Sequence, residues 1–282
     1  MRGGKIKEIM IRVDHSICNS NLPSVCVLGC GNLGTHLVQA LHHAGYPILQ
    51  LFSRTVESAT ALSDLVGGAP FTTDLSQLTL SADLYICALK DSVLCDVLRK
   101  TPLRGKPIIH TAGSMPLSLL EEFTAEGGVL YPMQSFSKAK PVDFSKIPIF
   151  VEASTPEMME RLTDMANHIS KSVMPLDTEG RKQLHLAAVF ASNFSNHMYA
   201  IANEQLSKLG LPFDVLLPLI DETSSKIHSL SPVDAQTGPA IRYDLNVLEA
   251  QKNRIDNPLQ QKIYELVSQS IHEMALRNSD NS

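Results

Sequence analysis

The sequence predicts an α/β protein: a doubly wound, mostly parallel sheet followed by an all-α half. Three observations carry this. Short apolar runs alternate with helix-length segments from residue 24 to about residue 177. A glycine-rich turn follows the first run and opens a helical pattern. After Asp177 the runs stop and only helical patterns remain. Strands that alternate with helices wind into a parallel sheet covered on both faces.

The predicted strands are SVCVLGC (24–30), YPILQLFSR (46–54), ADLYICAL (82–89), KPIIHTA (106–112), GGVLYP (127–132), IPIFVEA (147–153) and SVMPLD (172–177). Helices are expected over 33–44, 56–65, 92–99, 117–126 and 156–169. The last three runs crowd together, so one of them is expected at a sheet edge. Residues 179–208 read as one long helix or two abutting ones, and Gly210-Leu211-Pro212 stops the pattern and restarts it. A helix over 213–229 tolerates Pro218 or kinks there. A polar loop over 231–244 breaks at Gly238-Pro239, and helices follow over 245–253 and 258–276. The division is therefore a sheet domain over 22–177 and a helical domain over 178–282.

Composition narrows the function. The 282 residues suggest about two domains, and 44% hydrophobic against 19% charged residues is enough apolar material for a true core. A formal charge of −5 offers no positive field for nucleic acid or an anionic membrane, and 5% aromatics without Trp leaves no base-stacking platform. No apolar run approaches a membrane span. Residues before about 22 read as a loose leader, with Met10 an alternative start, and the chain is expected in the cytoplasm. The five cysteines, Cys18, Cys26, Cys30, Cys87 and Cys95, are odd in number and contain no Cys-x-x-Cys pair. They are expected as free thiols in a reducing compartment, with no metal site.

The most informative motif is Gly29-Cys30-Gly31-Asn32-Leu33-Gly34, a G-x-G-x-x-G directly after a strand. Gly29 allows the tight turn, Gly31 lets a pyrophosphate approach the backbone, and Gly34 lets helix and strand pack closely. This is the Rossmann-type arrangement, in which free N–H groups of the helix N-terminus near Asn32 receive phosphate oxygens. The second strand ends Ser53-Arg54-Thr55, with no acid before Glu57. An NAD site usually places an acid there, whereas hydroxyls and a guanidinium suit a 2′-phosphate, so NADP is expected over NAD. A methyltransferase also uses a glycine-rich first loop, but the three-glycine spacing and the Arg favour a dinucleotide.

Ligands sit beyond the carboxyl ends of the strands in such sheets. Ala88 and Lys90 end one strand and are expected beside the cofactor, with Asp91 or Ser92 as a helix N-cap. Ser114 follows the next strand, and Gln134 and Ser135 follow the third, all candidates for substrate binding, with Tyr131 and Phe136 as pocket walls. In the helical half, His185, Asn193 and His197 fall along one helical face of regular spacing. His185 is the candidate proton donor, since imidazole exchanges protons near neutral pH, and Asn193 the candidate orienting amide. Arg242 is a candidate partner for a substrate carboxylate, with Asp244 as the N-cap of the next helix.

The loop GCGNLGTHL and the strand end SRT resemble the broad group of pyrroline-5-carboxylate reductases, 6-phosphogluconate dehydrogenases and 3-hydroxyacid dehydrogenases. HLAAVFASNFSNHMY, GLPFDVLLPLIDETSSKI and AQTGPAIRYD resemble, more narrowly, bacterial Rossmann-like NADP oxidoreductases whose C-terminal half is a domain of unknown function. The resemblance covers nearly the whole chain after residue 22. It implies cofactor contacts at Gly29, Gly31, Asn32, Leu33 and Gly34, with Ser53 and Arg54 at the adenosine end. The Lys-x-x-x-Asn helix pair of the latter two dehydrogenases is not matched around Lys182 and Asn193, so no general acid is carried over. The expectation is an NADP-dependent oxidoreductase acting on a small carbonyl or imine. The alternative is a non-catalytic NAD(P)-binding sensor. A homodimer through the helical half is expected, because Leu216, Leu217, Leu219, Ile220 and Ile263 exceed what one small bundle buries.

Overall fold

A computed structural model describes residues 22–279 of the protein. The expected leader, Met10, Cys18 and the last three residues of the tail lie outside the described residues.

The chain opens with β1 (Val25–Leu28), whose four residues are all buried, and turns into α1 (Asn32–His43). Leu37, Val38 and Leu41 give α1 one apolar face toward the sheet. Next come β2 (Ile48–Phe52), α2 (Val56–Leu65), β3 (Phe71–Thr72), β4 (Leu84–Cys87), the short α3 (Leu94–Leu98) and β5 (Ile108–His110). β6 (Gly127–Pro132), β7 (Ile149–Ala153), α4 (Pro156–Ile169) and β8 (Val173–Pro175) complete the sheet region. α4 starts as its sequence dictates: the Thr155 hydroxyl caps the Met158 N–H, and Pro156 supplies the fixed φ of a first helical turn.

The eight strands lie in the order β3-β2-β1-β4-β5-β6-β7-β8. Every neighbouring pair is parallel except β6 and β7, where Leu130 faces Val151 and Tyr131 faces Phe150 in antiparallel register. Successive side chains of β1 alternate between two cores: Val25 and Val27 join Leu37, Leu41 and Leu162 on one face, while Cys26 and Leu28 join Tyr85, Leu94 and Leu98 on the other. The strand order reverses at β1, between β2 and β4, and the carboxyl end of that switch point is where the glycine turn sits.

Two compact units divide the chain after Val189. The change of rhythm at Asp177 falls earlier, because α5 (Thr178–Ala188) belongs with the sheet. The second unit contains α6 (Ser195–Ser207), α7 (Leu217–Lys226), α8 (Pro239–Arg242), α9 (Leu245–Lys252) and α10 (Pro258–Ser279). Within it, the Lys208 Nζ to Asp256 contact is 2.6 Å and Gln205 donates to Gln260 at 3.2 Å. No helix among the described residues is long and apolar enough to cross a membrane.

All seven predicted strands form. β3 was not expected, since two residues carry no alternation to read. The edges are β3 and β8. The helix expected over 117–126 is a 3₁₀ stretch, Leu117–Glu122. Pro218 neither interrupts nor kinks a helix: it lies in the first turn of α7, where its missing N–H costs nothing. The polar loop over 231–244 contains α8. Between α5 and α6 the chain forms a π-helical turn, Val189–Phe194. Bonds from i to i+5 shift the helical phase, so the regular spacing that aligned His185 with Asn193 and His197 does not hold across it.

Candidate cofactor and active site

The glycine turn is built by close approach. Gly29 has φ +115°, and a Cβ there would overlap the Ala88 carbonyl oxygen at the end of β4. The loop is pinned on both sides, by Gly29 N–H donating to Phe52 O at 2.8 Å and Ala88 N–H donating to Leu28 O at 2.8 Å. A Cβ on Gly34 would overlap the Gly29 carbonyl, so helix and turn touch through backbone alone. Gly31 differs: nothing lies within 4 Å of where its Cβ would be. It is the N-cap residue of α1, no side chain caps the helix, and no acid sits in the first turn. Asn32 is exposed and Leu33 half-buried beside it. The turn therefore leaves orphan N–H groups and positive dipole facing open space, which fits a pyrophosphate.

At the end of β2, Ser53 is buried and Arg54 exposed. Among the described residues Arg54 has no ion pair or hydrogen bond, so its guanidinium is available to a phosphate. Thr55 serves another purpose: its hydroxyl accepts from Ser58 N–H at 3.4 Å and caps α2. Cys30 lies beneath the turn, its thiol donating to Phe52 O at 3.5 Å and pushed up to about 11 by burial, so it stays a thiol. Cys26, Cys30, Cys87 and Cys95 are free.

The carboxyl ends of β4 and β5 hold the polar groups. Lys90 is exposed. Asp91 is not a helix cap: its carboxylate accepts the Ser114 hydroxyl, which ties the end of β4 to the loop after β5. His110, the last residue of β5, is fully buried, and its Nδ1 accepts Ala112 N–H at 3.2 Å. Burial, then the Arg181 charge, lowers its pKa to about 4, so it is neutral and fixed. Gly113 lies against two side chains. Its Cβ would come within 2.8 Å of both His185 Nδ1 and the Tyr131 ring. The glycine thus makes room for a side-chain pair. That pair is Tyr131 Oη and His185 Nδ1, 3.1 Å apart.

His185 is held by what precedes it on α5. Arg181, one turn earlier, is 1% exposed and pairs with the Glu152 carboxylate on β7 while donating to the Met115 carbonyl. Thr178 donates to the same carboxylate through N–H at 3.0 Å and hydroxyl at 2.9 Å, and its hydroxyl oxygen accepts Leu117 N–H at 3.2 Å. The sequence reading missed this clamp. Its one signal was an Arg four residues before a candidate histidine, which one face of a helix brings together. Gln134 and Ser135 are exposed, and the Gln134 side-chain oxygen accepts Ser135 N–H at 2.8 Å. Asn193 and Arg242 belong to the second unit, both exposed, the first in the π-helical turn and the second at the end of α8. Asp244 caps α9 by accepting Val247 N–H at 3.4 Å. Among the described residues no cluster of His, Cys, Asp or Glu could hold a metal ion.

Residues 24–114 match the family model described as "NADP oxidoreductase coenzyme F420-dependent", and residues 147–271 match a domain of unknown function, DUF2520. The chain is 49% identical to a Bacteroides fragilis protein assigned as an NADP oxidoreductase, covering 89% of this chain and 98% of that one, with a TM-score of 0.84. A Thermotoga maritima protein is 21% identical, covering 89% of this chain and 99% of that one, with a TM-score of 0.74. A reductive aminase from Aspergillus terreus, solved with NADPH and ethyl levulinate, is 17% identical, covering 89% and 94%, with a TM-score of 0.64. The last two show a shared fold. No curated protein matches the chain.

Proposed function

The chain belongs to the NADP oxidoreductase family, and from that premise we propose that it reduces a small carbonyl or imine at the carboxyl ends of β4 and β5. NADPH, when bound, supplies the hydride for that chemistry. One observation carries the reading: the exposed Gly31 backbone and uncapped α1 N-terminus follow Leu28 of β1, and the exposed Arg54 follows Phe52, the partner of Leu28 on β2. Gly29, Gly31, Asn32, Leu33 and Gly34 would hold the pyrophosphate. Ser53 and Arg54 would hold the 2′-phosphate, and Ala88 and Lys90 would flank the nicotinamide. Ser114 and His185 stand at the reacting end. Titration calorimetry tests it: NADPH binds more tightly than NADH, and Arg54→Asp narrows that preference by about tenfold, the worth of one charge-assisted contact. Equal affinities in the parent protein would sink the 2′-phosphate assignment.

We further infer that the second unit pairs with the same unit of a second copy. Leu209, Leu219, Leu259 and Leu266 are each more than 60% exposed there, in a unit whose buried apolar residues among those described are Ala240 and Leu248. Apolar surface on that scale marks an interaction site. Light scattering at micromolar concentration should give twice the chain mass; a single-chain mass removes the inference.

A further inference from the structure

Tyr131 was expected as a wall of the pocket, but its hydroxyl faces a histidine. We propose that Tyr131 is the residue that delivers the proton to the reduced substrate, and that His185 restocks it. The proposal rests on the reading that a C=N or C=O bond is reduced beside Gly113, and adds the proton route.

Tyr131 is the penultimate residue of β6 and is 9% exposed. Its hydroxyl lies 3.1 Å from His185 Nδ1, and the two rings meet edge to face with centroids 6.2 Å apart. Gly113 closes against both, so any other residue there would force the pair apart. The clamp of Arg181 on Glu152 and the Met115 carbonyl fixes α5 one turn before His185. The pair is therefore set by two strand ends and a bolted helix. A wall tyrosine needs no such arrangement.

The groups around the phenol keep it able to give a proton. Burial, then the Asp91 carboxylate at the end of β4, raises its pKa above the usual tyrosine value, while Arg181 opposes them. The hydroxyl is therefore protonated at neutral pH. His110 on β5 is neutral and adds no charge. Glu152 is occupied by Arg181 and Thr178.

Reduction leaves an electron pair on the substrate nitrogen or oxygen. That pair takes the Tyr131 hydroxyl proton: the new N–H or O–H bond forms as the phenol O–H breaks. The phenolate oxygen then takes the proton of His185 Nδ1. Water returns a proton to His185, which is only partly buried. The net demand is one proton from solvent for each hydride transferred.

Two measurements on the full chain test this. The first needs no substrate. With ¹⁵N-labelled histidine and bound NADP+ at pH 8, His185 should carry a proton on Nδ1, donated to the Tyr131 oxygen, which leaves the hydroxyl proton for the substrate. Tyr131→Phe keeps the ring and should let both tautomers appear, with NADPH affinity within twofold of the parent. A tautomer unchanged by Tyr131→Phe overturns the proposal. The second uses 2-methyl-1-pyrroline as the probe and follows NADPH absorbance. Tyr131→Phe should lower kcat by about 100-fold, the usual worth of a positioned acid, with KM little changed and a larger solvent isotope effect. A Tyr131→Phe protein at the parental kcat overturns the proposal and leaves the NADP reading standing. A parent protein that binds NADPH yet does not reduce the probe counts against imine reduction, and the tautomer measurement then decides the tyrosine's role alone.

Discussion

The two units solve the burial problem differently. The sheet unit closes on itself: Leu37, Leu41, Leu62, Leu84, Ile86, Ile109 and Leu162 are all at most 1% exposed. The helical unit, of comparable hydrophobic content, leaves Phe190, Leu209, Leu219, Leu259 and Leu266 outside. A sheet with helices on both faces needs no partner to cover its apolar side chains. Short helices whose apolar residues are not gathered on one face leave some of them outside. The sheet unit therefore carries the precise geometry, and the helical unit leaves large apolar side chains in solvent.

The largest effect is expected where the sheet unit is tightest. Gly29→Ala places a methyl group on the Ala88 carbonyl at a backbone φ of +115°. Strained backbone costs roughly 1–3 kcal/mol and forced overpacking a similar amount, so a loss of about 4 kcal/mol is expected, together with NADPH binding. Urea unfolding and calorimetry would show both. A variant with parental stability would mean that β1 and β4 separate easily, contrary to the burial pattern.

Leu162→Ala empties a site in the larger core and should cost about 2–5 kcal/mol at any protein concentration. Leu266→Asp, at a position 65% exposed, removes little within one chain. Its effect should appear only as a concentration-dependent fall in Tm and a halved mass. If Leu266→Asp behaves like Leu162→Ala, independent of concentration, the helical unit has its own core and the contrast fails.

His110 gives a smaller, pH-dependent effect. Its folded pKa is about 4 against the ordinary 6.5, so the unfolded chain takes up a proton that the fold refuses. Its contribution to stability is whole above pH 6.5 and falls away as pH drops from 6.5 toward 4, by on the order of 3 kcal/mol in all. His110→Gln should flatten that slope in urea unfolding between pH 7.5 and 4.5. An unchanged slope in His110→Gln would remove this histidine as its source.

The same division governs what the sequence made legible. Strand and helix patterns report burial within one unit, so β1, β2, α1, α2 and α4 stand close to where periodicity placed them. The G-x-G-x-x-G turn was legible because each glycine answers a local backbone demand. The clamp of Arg181, Glu152 and Thr178 was not, because its members come from β7 and α5 and no spacing links them. Gly113 was visible as a glycine, but which side chains it makes room for depends on β6 and α5 arriving together. The π-helical turn was invisible for a different reason: one shifted turn leaves the apolar spacing of a long helix nearly intact.

The smallest effect belongs to Tyr243, which repeats the positive φ of Gly29 in the open unit. It has φ 52° and follows α8, and its ring stacks on His272 with centroids 4.5 Å apart. An L-residue in this left-handed conformation costs roughly 1–2 kcal/mol, which glycine would recover. The lost aromatic stack is worth about 0.5–1.5 kcal/mol, and the side chain, 39% exposed, covers further area worth about 1–2 kcal/mol. The recovered strain offsets most of this, so Tyr243→Gly should cost only about 1 kcal/mol. Tyr243→Phe keeps both the conformation and the stack and should be neutral. Positive φ is therefore expensive to disturb at Gly29 because a carbonyl lies against it, and cheap at Tyr243 because its side chain stands partly in solvent. Urea unfolding of the two variants beside Gly29→Ala measures that difference directly. A loss above 3 kcal/mol for Tyr243→Gly would place this turn inside a packed interface, and the helical unit would then have to be counted as closed there.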